Sequence, residues 1–108
     1  LVAAAPKGSG PRHIVLNSAE TSAFVVTEFS GEVLHYARDG ASGALTLTSQ
    51  ASIVEPDAGL THSRIGADPV AGRLIWGADV HLAPNGHFAW ASERSASTIA
   101  TCRSVVIW

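Results

Sequence analysis

The feature that most constrains this chain is a succession of short apolar runs rich in β-branched residues, each closed off by turn formers. Residues 12–16 (RHIVL) and 23–27 (AFVVT) are separated by the polar turn NSAETS. FSGE at 29–32 turns the chain again, and VLHYA at 33–37 alternates into a third run. After RDGASG, residues 45–54 (LTLTSQASIV) alternate apolar with polar. A period of two marks a strand with one buried face, and clusters of Gly, Asp, Asn and Ser mark the turns between strands. Residues 12–54 are therefore expected to form four short antiparallel strands. No stretch carries a sustained helical period with caps, so the expected fold class is all-β.

The pattern then partly repeats. DVHLA (79–83), FAWAS (88–92) and TIATC (98–102) read as three more strands, the first two joined by PNGH. Its Asn85-Gly86 pair is a strong hairpin signal. Laid on the first unit at an offset of 66, the second needs no gap: Leu16 falls on Leu82, Phe24 on Trp90, Val33 on Ile99 and His13 on Asp79. Repeating units of short strands point to a propeller or a solenoid, and four antiparallel strands per unit is a propeller blade. The chain is thus expected to be a β-propeller fragment of about two blades in a single partial domain, 1–108. Residues 12–54 are the first blade, and 77–108 are an incomplete second blade in which RSVVIW (103–108) could begin a fourth strand. The offset exceeds the roughly 40–50 residues of a usual blade. The excess lies in the polar segment 55–76, rich in Pro and Gly, either a functional loop or a floppy insertion. Two blades cannot close a ring, so open sheet edges are left that could support self-association. A fragment of a longer protein, or a subunit completed by other chains, is expected.

Composition narrows the class. The 108 residues are 46% hydrophobic and 15% charged, so this is no disordered chain. A formal charge of −2 argues against a nucleic-acid or anionic-membrane binder, either of which needs a basic face. No apolar run approaches the roughly 18 residues of a membrane span, and the N-terminus has no basic region of a signal peptide. The lone cysteine, Cys102, allows no internal disulfide and no multi-cysteine metal site. A cytoplasmic location is the simplest expectation.

Strand geometry predicts where the polar residues gather. In an antiparallel hairpin the start of one strand lies beside the end of the next. Arg12 and His13 begin the first strand of unit one, and Glu28 follows the end of its second. Asp79 and His81 begin the first strand of unit two and share a side of it, while Glu93 and Arg94 follow the end of its second. All fall on one end of their hairpins, and neighbouring blades share orientation. An acid–base site with its own anion binder is expected there. The competing reading is a structural ion-pair network, which mimics such a site.

GSGPRH (8–13), the glutamate of VVTEF (25–29), WGADVHLAPNG (76–86) and ASERSASTIA (91–100) together carry a family resemblance. The chain resembles the seven-bladed propeller lactonases, the family of 6-phosphogluconolactonase and carboxy-muconate cyclase, over roughly residues 6–102. It departs in being much shorter, and in a tail, CRSVVIW, that does not continue as the family does. The resemblance implies hydrolysis of a sugar lactone, with 6-phosphogluconolactone as a candidate in view of the family, and no metal and no cofactor. A base must activate water, and a donor must receive the developing oxyanion. His titrates near neutrality and can move the proton, so His13 or His81 is the expected base, with Glu28 as the alternative and Asp79 as the orienting carboxylate. Arg12 and Arg94, with Glu93, are the expected contacts to a small anionic lactone or carboxylate, because Arg grips such groups with paired hydrogen bonds. A carboxy-muconate cycloisomerase would use the same residues. A non-catalytic scaffold is the alternative of a different class.

Other residues read as structural. His35 lies mid-strand, His62 lies in the long loop where it could reach a substrate, and His87 follows the hairpin turn. Asp79-x-His81 offers two metal ligands, but no established metal spacing surrounds it. Cys102 reads as a buried small residue, and Trp76, Trp90 and Trp108 as packing groups.

Overall fold

The computed structural model describes residues 1–103. They form seven strands: β1 (Pro11–Leu16), β2 (Ser22–Thr27), β3 (Glu32–Arg38), β4 (Leu45–Ser52), β5 (Gly77–Leu82), β6 (Phe88–Glu93) and β7 (Thr98–Arg103). Two antiparallel sheets result, β1-β2-β3-β4 and β5-β6-β7. The all-β expectation holds. A fourth strand of the second unit after Arg103 falls outside the described residues. β5 starts at Gly77, two residues before the expected Asp79, because a bulge lets Gly77 pair with Glu93 ahead of the regular ladder. An irregular ladder hides such a residue from a period-two reading.

The repeat is exact at the level of strands. β1 and β5, β2 and β6, and β3 and β7 all begin 66 residues apart. The irregularities repeat as well: the β1–β2 register shifts between Pro11 and His13, and the β5–β6 register shifts between Gly77 and Val80.

The two sheets stack face to face. Phe24, Val26, Val33 and Ile53 from the first sheet meet Val80, Ala89 and Ala91 from the second, with Val15, Leu82, Ala100 and Cys102 around them. The small residues of β6 allow close approach, while the β-branched residues of β2 and β3 fit a pleated surface. On its other face the first sheet carries a second buried cluster, Ala23, Val25, Leu34 and Tyr36, against which Ala5 and Leu45 pack. The Tyr36 hydroxyl donates to Ala4 O at 3.0 Å and holds the N-terminal segment in place.

The long segment between β4 and β5 is tied down rather than floppy. Ser63 N–H donates to Phe29 O, Ile75 N–H to Thr61 O, and Gly77 N–H to Glu28 O. A parallel bridge joins Thr61 to Leu74, and the Ser95 hydroxyl donates to Leu74 O at 2.6 Å. These bonds satisfy backbone groups that would otherwise compete for water. Among the described residues no helix is long and apolar enough to cross a membrane.

His35 is a packed strand residue. Its ring stacks on Phe24 at 4.8 Å between centroids, and its two nitrogens meet the hydroxyls of Ser22 and Thr48 at 2.9 and 3.0 Å. Burial holds its pKa below the ordinary 6.5. The unfolded chain therefore binds this proton more readily than the folded one, and stability is present above 6.5 and falls as pH drops below it. Urea titrations at stepped pH should show this slope, and His35→Gln should flatten it. An identical slope in the variant would assign the acid sensitivity elsewhere.

Candidate functional site

The starts of β1 and β5 and the ends of β2 and β6 converge at one end of the stacked sheets, and the cause is a glycine. A Cβ at Gly77 would lie 2.1 Å from Thr27 O and 3.3 Å from Glu28 Cα. No side chain fits there, so the backbone of β5 reaches the end of β2, and Gly77 N–H donates to Glu28 O at 2.9 Å. That contact brings Glu28 of the first unit beside Arg94 of the second.

Glu28 sits between two guanidiniums. Arg12 Nε lies 3.9 Å from Glu28 Oε1, and Arg94 Nη2 lies 3.5 Å from Glu28 Oε2. Each arginine is also fixed by backbone carbonyls, Arg12 across the unit boundary and Arg94 within its own unit. Arg12 Nη1 donates to Ala78 O at 2.7 Å. Arg94 donates from Nε to Trp76 O and from Nη2 to Gly77 O, at 3.3 and 2.8 Å. Its guanidinium lies over the Trp76 ring, 4.1 Å from the centroid, a cation–π contact. Burial, and then the positive charge of Arg12, pull the Arg94 pKa below its ordinary value, while Glu28 and Glu93 oppose this. Arginine stays a cation at any physiological pH.

Glu93, expected from the sequence to contact substrate, is 2% exposed. Its Oε2 accepts from Trp76 N–H at 2.6 Å and Ser95 N–H at 3.1 Å, and its Oε1 accepts from Ala96 N–H at 2.7 Å. The carboxylate thus brackets the end of the long loop against the β6–β7 turn. In doing so it sets Trp76, on which Arg94 rests.

The histidines form a second, more open group. Asp79 Oδ2 lies 3.1 Å from His81 Nε2, and both side chains are exposed. The Asp79 pKa is lowered, first by the Val80 N–H that donates to its Oδ1 at 2.8 Å, and then by His81 and by the charge of nearby His13. The His13 ring is exposed and has no hydrogen-bond partner among the described residues. Ala78, which accepts from Arg12, precedes Asp79 and links the two groups.

A cleft of about 260 Å³ opens beside Glu28 and Trp76, walled by Phe29, Ile75 and loop residues 63–69. No local pattern in the sequence marks this wall, and Trp76 reads there as a packing group. The glycine and proline content marked a loop there but not its fold back onto Phe29. His62, whose Nδ1 lies 2.7 Å from Ser63 O, is bonded within that loop. A second cleft of about 260 Å³ has Arg12 and His13 in its wall, with Pro11, Val25 and Tyr36, and one of about 450 Å³ lies between the two hairpin turns at the opposite end. The converging charges favour the Glu28 cleft as the site. Among the described residues no three His, Cys, Asp or Glu side chains converge as metal ligands. Burial pushes the Cys102 thiol pKa up, which disfavours the nucleophilic thiolate.

Two substitutions test the scaffold. Glu93→Ala strands three backbone donors and should cost about 3 kcal/mol, on the order of one to two unsatisfied buried groups. Gly77→Ala should destabilise by a comparable amount, because the added methyl must displace backbone. Urea unfolding measures both, and changes under about 0.5 kcal/mol would show that neither contact organises the site.

Comparison with known proteins agrees with this architecture. Residues 2–104 match the family model described as lactonase, 7-bladed beta-propeller. A 6-phosphogluconolactonase of Pectobacterium carotovorum is 32% identical over 93 residues, covering 86% of this chain and 24% of the relative. One from Serratia proteamaculans is 32% identical over 92 residues. The chain therefore spans about a quarter of the length of the curated relatives it matches. Among solved structures, a Lactobacillus plantarum protein superposes with a TM-score of 0.73 at 25% identity, over 93% of this chain and 26% of that one. The periplasmic gluconolactonase of Pseudomonas aeruginosa shares the fold, with a TM-score of 0.70 at 22% identity over 91% of this chain and 23% of that one. With its two stacked antiparallel sheets and a family match over nearly its whole length, the chain belongs to the seven-bladed β-propeller lactonases.

Proposed function

We propose that this chain forms part of the catalytic face of a lactonase acting on an anionic sugar lactone, with 6-phosphogluconolactone, after the names of its relatives, as the substrate. The observation that carries the reading is Glu28, in the wall of a cleft, held between Arg12 and Arg94. A stability role alone explains this poorly, since partly exposed ion pairs contribute only about 0–1 kcal/mol. Two fixed cations beside a cavity do suit a substrate that carries negative charge and develops more during reaction.

The chemistry follows from the groups present. His13, with an unengaged ring, takes a proton from water as the oxygen adds to the lactone carbonyl carbon. The nearby Asp79 charge supports the imidazolium that forms. An arginine receives the oxyanion of the tetrahedral intermediate. That intermediate collapses by breaking the ring C–O bond, and the imidazolium returns its proton to the leaving alkoxide oxygen. The product is the open hydroxy acid. Glu28 holds Arg12 and Arg94 in place, Trp76 supports Arg94, and Glu93 positions Trp76. A cytoplasmic setting is part of the proposal and suits the free Cys102.

Lactone hydrolysis followed by acid release tests this. His13→Ala should lower kcat by about 100-fold or more, with the far-UV circular dichroism unchanged. Arg94→Ala should raise KM more for a phosphorylated than for a neutral lactone. Full turnover in the His13 variant would remove it as the base, and equal KM changes for both lactones would remove Arg94 as an anion binder.

A further inference from the structure

Most arginines of this chain are already engaged. Arg12 and Arg94 are tied to backbone carbonyls and to Glu28. Arg38 donates to Glu20 O at 3.0 Å, and Arg73 to Ala58 O at 3.1 Å. Arg64 differs. It is exposed, and its guanidinium makes no hydrogen bond or ion pair among the described residues. It also stands in the wall of the Glu28 cleft, and among the described residues of that wall it is the one cation. Arg12 and Arg94 touch Glu28 but are not part of the wall.

The loop fixes Arg64 by its backbone. On one side the buried Ser63 donates its N–H to Phe29 O at 3.0 Å. On the other, Ala67 N–H donates to Arg64 O at 3.2 Å and closes a turn whose third residue, Gly66, has a φ of 84°. A positive φ at that place is the type II pattern, which glycine adopts without strain. Asp68 ties the turn that follows, its Oδ1 accepting from Val70 N–H at 3.0 Å and Ala71 N–H at 3.2 Å. The backbone at Arg64 is thus held while its charge stays unengaged. Phe29, Ile75 and Pro69 share the wall with it. Such apolar neighbours thin the water around a bound anion, and a cation attracts it more strongly there than in bulk solvent. Glu28 shares its charge with two guanidiniums, so it does not leave the cleft with a net negative charge.

We propose that Arg64 grips the phosphate of a phosphorylated sugar lactone in the Glu28 cleft, and so sets the preference for that substrate over a neutral lactone. The inference rests on the lactonase reading and adds to it a specificity-determining residue from the loop between the two units. A phosphomonoester presents close to two negative charges and three strong acceptor oxygens. That is more than one guanidinium satisfies with its pair of parallel hydrogen bonds. Arg94, beside Glu28, supplies one pair, and Arg64 supplies another from the loop.

Isothermal titration calorimetry with 6-phosphogluconate and with gluconate, the products of the phosphorylated and the neutral lactone, tests this. The unaltered chain should bind 6-phosphogluconate more tightly than gluconate. Arg64→Ala should weaken 6-phosphogluconate about 10-fold or more, as loss of a hydrogen bond between charged groups does, and leave gluconate nearly as before. Arg64→Lys keeps the charge but not the fork, and should recover part of the loss. Arg103→Ala removes the same charge at the far end of β7, where Arg103 pairs with Phe88, and should leave both affinities unchanged. Inorganic phosphate alone should bind far more weakly than 6-phosphogluconate. Five results would overturn the role of Arg64 while the lactonase reading stands: no preference in the unaltered chain, no loss in Arg64→Ala, equal losses for both products, a loss matched by Arg103→Ala, or inorganic phosphate binding as tightly as the sugar phosphate. No binding of either product by the unaltered chain would remove the lactonase reading and this inference with it.

Discussion

At Gly77 the backbone of the second unit meets the backbone of the first with no room for a side chain, and the rest of the site depends on that contact. No Cβ can stand 2.1 Å from Thr27 O, so only glycine lets β5 begin against the end of β2. The hydrogen bond from Gly77 N–H to Glu28 O then sets the offset of one sheet on the other. Glu28 comes within reach of Arg94, and Arg12 within reach of the Ala78 carbonyl. A shift of one residue would turn every side chain of β5 to the other face and dissolve both the core and the charge cluster.

Two kinds of charge serve two ends here. Glu93 is buried and saturated by backbone donors, an arrangement whose loss is costly because it leaves those donors stranded. Arg12, Glu28 and Arg94 are about a third exposed, at 3.5 to 3.9 Å, where water screens much of their attraction. The first holds the scaffold. The second adds little to stability and, under the proposed function, is the part that meets the substrate. Trp76 joins them, since Glu93 fixes its backbone and its ring carries Arg94.

Much of this was legible in the sequence. Alternation and turn residues located all seven strands, and the gapless repeat of Leu16 on Leu82 foretold the stacked units. The rule that strand starts lie beside neighbouring strand ends gathers Arg12, Glu28 and Arg94, which the structure brings within 3.9 Å of one another in two pairs. What escaped depends on contacts between distant segments. Gly77 reads locally as a loop glycine, yet its role comes from Thr27, which no pattern places beside it. Glu93 reads as a polar strand end and is in fact buried, because the loop carrying Trp76 folds over it. Periodicity reports which face a residue takes, not what a long loop brings to cover it.

The central claim is that the Arg12–Glu28–Arg94 cluster and Trp76 form the seat of an anionic lactone. A nitrogen-15 NMR titration with 6-phosphogluconate, the hydrolysis product, tests it most directly. The account predicts that the Nε–H signals of Arg12 and Arg94 and the indole N–H of Trp76 shift together along one saturating curve, while that of Trp90 stays fixed. Shifts confined to the cleft between the hairpin turns at Asn17 and Asn85, or no saturable shift at all, would contradict it.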